Sequence, residues 1–233
     1  DSLLFDENEN EYIDSISSWW VTLHGHANPF IAKKIYEQAL QLEQVIFAGF
    51  THTPAIDLAE KLIEKLPAGF SKIFYSDNGS TSTEVALKMA LQFWWNKDIK
   101  PKRNKILAFK NAYHGDTFGA MGVSERSVFT LAFQDLFFEV IFIDTPNETN
   151  VDSIYEIVEK HASNIAAFIY EPLIQGAGGM KMYDAIYLNA LLKKIKEKEI
   201  ICIADEVMTG FFRTGKFFAS DYMEEKPDII CMS

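Results

Sequence analysis

The chain has 233 residues, 48% of them hydrophobic, enough for one large core with or without a small appendage. Its 22 Lys and Arg against 33 Asp and Glu leave a net charge of -11, which argues against nucleic acid and anionic membranes as main partners. The 19 Phe and a 14% aromatic share argue against disorder. Cys202 and Cys231 both lie in apolar runs, and there is no CxxC, so buried free thiols are expected rather than a disulfide or a zinc site. No signal peptide opens the chain and no apolar run has membrane length, so a soluble cytoplasmic protein is expected. Asp1 and Ser233 both fall at strand-like segments, so the chain reads as a piece of a longer protein.

In chain order, Ser2–Phe5 and Tyr12–Ser15 are predicted to pair as a hairpin across a turn at residues 6–10. The stretch SSWWVTLHGHANP, residues 17–29, is a loop in which Trp19 and Trp20 either pack into a core or wall a pocket. His24 and His26 lack an accompanying ligand set, so no metal is expected. Helical spacing predicts a helix over residues 29–43 and a second over 53–66, with Pro54 in its first turn.

Lys72–Tyr75 reads as a strand leading into SDNGSTSTEVALKMALQFWW. Thr81 and Glu84 fit a capping box, which predicts a helix from about Thr81 to Trp95. Gly79 and Ser80 would then sit in the turn before it. That turn is either an ordinary Gly-Ser connection or a phosphate site made by free amides at the positive end of a helix. Strands follow over residues 105–109, 139–143 and 165–169, with a helix over 151–161 between the last two. After the first of these comes NAYHGDTFGA, where Tyr113 is either a core aromatic or a stacking platform for a flat ring. After residue 169 comes YEPLIQGAGGM, whose glycines do not fit the dinucleotide pattern GxGxxG.

A helix over residues 185–198 leads to EIICIADEVMTG. Its unbroken apolar run predicts a buried parallel strand that delivers Asp205 to the carboxyl end of a sheet, where ligands bind. Asp205 either caps a helix, binds a metal, or pairs with a cation such as a protonated pyridine nitrogen. A last strand is predicted over residues 228–232. The alternation of strands and helices gives an α/β fold, a mostly parallel sheet with helices on both faces.

The set SDNGSTSTEVALKMA, AYHGDTFGAMGVS, EPLIQGAGGM and ADEVMTGFFRTG resembles the class III aminotransferases, enzymes of fold type I that depend on pyridoxal 5'-phosphate (PLP). The resemblance covers nearly the whole chain. It implies a small N-terminal segment, residues 1–50, and a PLP-binding large domain, residues 51–233, with the small C-terminal domain absent. Asp205 would pair with the pyridinium nitrogen. Gly79 and Ser80 would hold the phosphate, and Tyr113 would stack on the ring with His114 beside it. Gln175 would lie near the ring hydroxyl, and Glu171 would position Asp205. Trp19, Trp20, Tyr113 and Arg213 would contact substrate, although Arg213 could instead make a structural salt bridge. Phe212 departs from the small residue often found at its position. The lysine that carries the cofactor in this family would follow Ser233 directly, and Lys226 comes too early to replace it.

The paired tryptophans and FAGFTH resemble one branch of the family most closely. For that branch the implied substrates are 8-amino-7-oxononanoate and S-adenosylmethionine, a step of biotin biosynthesis, and a homodimer is implied. Rival expectations are another ω-aminotransferase, acting on 4-aminobutyrate, acetylornithine or a diamine, and a catalytically inactive binding protein of the same fold.

Overall fold

Short apolar runs become strands only where a neighbour can take their backbone hydrogen bonds, and this decides which segments of the chain are paired. The computed structural model describes residues 1–97, 102–128 and 130–233. These fall into two units, Asp1–Leu66 and Pro67–Ser233.

In the first unit, β1 (Leu3–Phe5) and β2 (Glu11–Ile13) form the expected antiparallel hairpin. Asp6 organises its turn by accepting from the backbone amides of Asn8 and Asn10. One turn, α1 (Ser17–Trp20), follows with φ values of 51°, 48°, 65° and 70°. This is left-handed backbone, which costs L-residues roughly 1–2 kcal/mol each. Asp14 braces it, accepting from the Ser18 hydroxyl at 2.8 Å and from His26 at 2.7 Å. The Ser18 backbone amide first, and His26 next, hold the Asp14 carboxyl down at about 2. Helices α2 (Pro29–Ala39) and α3 (Thr53–Lys65) are capped by Asn28 and by the His52 ring.

The second unit runs α4 (Gly79–Asn96), β3 (Lys105–Phe109), α5 (Phe118–Val123), β4 (Val140–Ile143), α6 (Val151–His161), β5 (Ile165–Tyr170), β6 (Ile174–Gln175), β7 (Lys181–Met182), α7 (Ala185–Lys196), β8 (Ile201–Asp205) and β9 (Ile229–Cys231). Five strands pair in parallel in the order β4-β3-β5-β8-β9. Their side chains alternate between two apolar layers. Leu107 and Phe109 of β3, with Cys202 and Ala204 of β8, pack with Ile154 and Val158 of α6 and with Leu188, Leu191 and Leu192 of α7. Ile106, Ala108 and Ile203 face the other way, against Ala86, Leu87, Ala90 and Trp94 of α4. Helices thus cover both faces, as expected. Both cysteines are buried free thiols.

β3 pairs with β4 on one side and β5 on the other, so successive connections leave it in opposite directions. In such sheets the crevice at the carboxyl ends of the two diverging strands is where ligands sit. Here those strands are β3 and β5.

Two expectations are corrected. The predicted strand at Lys72–Tyr75 pairs with no strand among the described residues, and Phe74 is exposed there. Its composition suits a strand, but composition cannot supply a ladder partner. The predicted Thr81–Glu84 capping box does not form either. Helix α4 begins two residues earlier, at Gly79, with Asn78 as its cap. Asn78 Oδ1 accepts from the Thr81 amide at 3.0 Å and Thr81 Oγ1 accepts from the Asn78 amide at 3.0 Å. Gly79 and Ser80 are therefore the first two helical residues rather than part of a preceding turn.

Candidate active site

Three neighbouring strands end in polar residues that meet at the crevice. β3 is followed by Lys110–Thr117, β5 by Glu171, and β8 ends on Asp205. Asp205 is buried, as an acid at the end of a dry strand must be. Its Oδ2 accepts from His114 Nδ1 at 2.7 Å, and its Oδ1 accepts from the Val207 amide at 3.1 Å. The first bond requires the tautomer with hydrogen on Nδ1. Each carboxylate oxygen keeps acceptor capacity for a further donor.

His114 is fixed on a second side by its amide, which donates to Ser124 Oγ at 2.9 Å. Its Nε2 is buried with no hydrogen-bond partner among the described residues. Gln175 is fully buried and donates to the Lys110 carbonyl at 2.7 Å, leaving its Oε1 likewise without a partner there. A buried polar atom left without a partner is costly unless a ligand or water meets it.

Glu171 spans the switch point. One oxygen accepts from the Tyr113 amide at 2.8 Å and the other from the Gly176 amide at 2.9 Å. It thus ties the loop after β3 to the turn after β5, while the direct bond to Asp205 is made by His114. Burial is the main cause that lifts the Glu171 carboxyl to about 7; His114 opposes the rise and Asp205 adds to it. A carboxyl raised in the folded state holds its proton over a window where the unfolded chain has lost it. Stability should therefore fall as pH rises from about 4.5 to about 7, by at most about 1.4 kcal/mol per unit. Glu171→Gln should flatten that decline in denaturant midpoints measured across the window. An unchanged slope would mean the group is not titrating there.

Tyr113 donates its hydroxyl to Asp116 Oδ2 at 2.8 Å. Burial first, and then Asp116, push its phenol up to about 12, so it stays a donor at neutral pH. The Asp116 amide donates to Ser80 Oγ at 3.1 Å. Ser80 follows Gly79 in the first turn of α4, where no intrahelical carbonyl satisfies the amides. Gly79 lies against Val207, whose Cγ2 would be 3.0 Å from a β-carbon placed on it. The structure therefore closes a ring: Gly79 on Val207, Val207 on Asp205, Asp205 on His114, and Tyr113 through Asp116 back to Ser80.

The other predicted residues belong to other segments of the chain. Trp19 and Trp20 belong to the first unit, with ring centroids 5.3 Å apart and Trp19 exposed. Arg213 is half-buried in the turn between Gly210 and Phe217. Lys226 donates to the carbonyls of Ser220 and Met223, ahead of β9 and so away from the carboxyl ends of the strands. Glu206, next to Asp205 in the chain, is wholly buried. It accepts from Thr209 Oγ1 at 2.6 Å and from the amides of Ala219 and Ser220 at 3.0 and 2.7 Å, and burial raises its carboxyl. The roles of Ser124 and Asp116 were not singled out by sequence reasoning, although both lie inside the quoted AYHGDTFGAMGVS.

A family model described as aminotransferase class-III matches residues 1–233. The adenosylmethionine-8-amino-7-oxononanoate aminotransferase of Synechococcus elongatus is 50% identical over 96% of this chain and 54% of its own length. The Staphylococcus aureus enzyme of the same name is 40% identical over 99% of this chain and 54% of its own. A crystal structure of that aminotransferase from Methanocaldococcus jannaschii superposes with a TM-score of 0.92 at 37% identity, covering 99% of this chain and 54% of that one. The chain spans about half the length of the curated relatives it matches. A match along the whole chain and a superposition of that quality lead to one conclusion: this chain belongs to the class-III aminotransferase family.

Proposed function

We propose that the intact protein transfers an amino group from S-adenosylmethionine to 8-amino-7-oxononanoate, forming 7,8-diaminononanoate in biotin biosynthesis, with PLP as cofactor. The observation that carries the reading is the closed ring of residues joining Asp205 to the first turn of α4. An anion-binding helix start and a buried carboxylate joined through Val207 suit a small aromatic cofactor with a phosphate at one end and a basic ring nitrogen at the other. The unmet Gln175 Oε1 fits a polar substituent of such a group.

When bound, PLP supplies a protonated ring that takes up the electron pair left by breaking a C–H bond next to nitrogen. The chain's own residues prepare that event. Asp205, held in place by His114 and the Val207 amide, would keep the ring nitrogen protonated. The Gly79 and Ser80 amides, with the Ser80 hydroxyl, would hold the phosphate. Tyr113, held by Asp116 and Glu171, would cover one face of the ring. Trp19, Trp20 and Arg213 are assigned to the substrate. The long apolar chain of 8-amino-7-oxononanoate suits indole walls.

The many exposed large apolar residues of the first unit, among them Phe30, Ile35, Tyr36 and Phe50, support a homodimer. Among the described residues no helix is long and apolar enough to cross a membrane. The free thiols support a cytoplasmic setting.

The test is a spectrum of the intact, PLP-loaded protein. Its cofactor absorbance should change on adding S-adenosylmethionine and return on adding 8-amino-7-oxononanoate. A change with 4-aminobutyrate, acetylornithine or a diamine, and none with S-adenosylmethionine, would overturn the substrate assignment. No change with any amine would favour a binding protein.

A further inference from the structure

The geometry points to Glu84 as the residue that positions the phosphate end of the cofactor site; this rests on the PLP reading above. Glu84 and Ser80 lie four residues apart on α4 and so share one face of the helix. The loop from Gly115 to Ala120 is laid along that face. Asp116 donates its amide to Ser80 Oγ, and Thr117 Oγ1 reaches both the Ser80 carbonyl at 3.3 Å and Glu84 Oε2 at 2.7 Å. The same Glu84 oxygen accepts from the amides of Gly119 at 2.7 Å and Ala120 at 3.3 Å.

These are the orphan amides at the start of α5, which its own cap residue leaves unmet: Thr117 makes no side-chain cap bond. A carboxylate from a different helix therefore does the capping. Two glycines permit the close approach. A β-carbon on Gly119 would lie 2.5 Å from Glu84 Oε2, and one on Gly115 would lie 2.2 Å from Ser80 Oγ. Gly115 and Gly119, four apart, thus oppose Ser80 and Glu84, four apart.

The consequence for the site lies in Ser80. With its oxygen accepting from Asp116, the hydroxyl hydrogen is the part left to point at a phosphate. Glu84 is a positioning residue, its oxygen occupied by donors of the loop. It fixes the loop that fixes that hydroxyl.

The test uses the intact protein freed of cofactor, titrated separately with PLP and with pyridoxal, which lacks the phosphate. Glu84→Ala should weaken PLP about tenfold or more while leaving pyridoxal within about twofold, since only the phosphate end is loosened. Glu84→Gln keeps a carbonyl oxygen for all three donors and should restore PLP to within about threefold of wild type. Hydrogen exchange without cofactor should show the Gly119 and Ala120 amides losing protection in the alanine variant only. Equal losses for both ligands, or none for either, would overturn the inference while the functional reading stands. A wild-type protein that does not bind PLP would overturn both. Should Glu84→Ala fail to fold, Thr117→Val carries the test. It removes one of the three donors and should lower the PLP-to-pyridoxal preference about threefold; an unchanged preference would overturn the inference.

Discussion

Asp205→Asn should cut amino transfer by the intact protein on the order of 10²–10³-fold or more while the fold survives. The fold survives because the amide can replace both hydrogen bonds. Its oxygen can keep the Val207 amide, and its nitrogen can donate to His114 if that ring changes tautomer and moves its hydrogen to Nε2. What cannot be replaced is the charge. A neutral amide gives a ring nitrogen no reason to keep its proton in a water-poor crevice, and the electrons of the broken bond then have nowhere favourable to go. Turnover assays beside thermal melts make the comparison. Turnover like wild type in a variant that melts normally would remove the carboxylate from the mechanism.

The second large effect is expected at Gly115. Its φ is +120°, a conformation L side chains rarely adopt, and an added β-carbon would fall 2.2 Å from Ser80 Oγ and 2.7 Å from the Ser80 backbone. Gly115→Ala therefore combines backbone strain with overpacking, each a matter of about 1–3 kcal/mol. The loop can relieve the clash only by moving off α4, which takes the Asp116 amide away from Ser80. Denaturation should show a loss of about 2–4 kcal/mol, and PLP binding should weaken with it. Ser80→Gly in the same protein removes the hydroxyl but leaves both the strained φ and the clash with the helix backbone, so it should restore little. A Gly115→Ala protein with unchanged midpoint and PLP affinity would mean that the loop is not pressed against the helix as described.

Much of this architecture was legible in the order of residues. Ile165–Tyr170 and Ile201–Asp205 announce themselves because a strand buried on both faces has no polar positions, and such a run delivers whatever follows it to the crevice. That is why Asp205 could be expected at the crevice without coordinates, whereas a role for Glu171 came only from the family resemblance. Lys72–Tyr75 has the right side chains but no partner, and pairing is a property of two segments rather than one. Glu84 misleads for a similar reason. Its spacing from Thr81 mimics a local cap, whereas its actual partners lie 33 to 36 residues further on. Asn78 took the cap position because a short amide side chain immediately before Gly79 reaches the Thr81 amide directly. The short β6–β7 pair escaped notice because two residues per strand leave no alternation to read. His114 shows the limit on the chemical side. Its bond to Asp205 spans 91 residues of chain, and no local pattern encodes it.

The ring of contacts draws on positions 79–80, 113–116, 205 and 207, and Asp205 ends the strand that lies beyond β5. On the ribosome, the segments of β3, β4 and β5 are synthesised before that final acid. Parallel pairings close long loops and form late, so the partly made sheet has to persist with an open flank. A small molecule that engages both ends of the ring cannot be captured during that interval. Its capture would require the strand that carries Asp205 to be in place, and would then disfavour reopening by binding only the folded form.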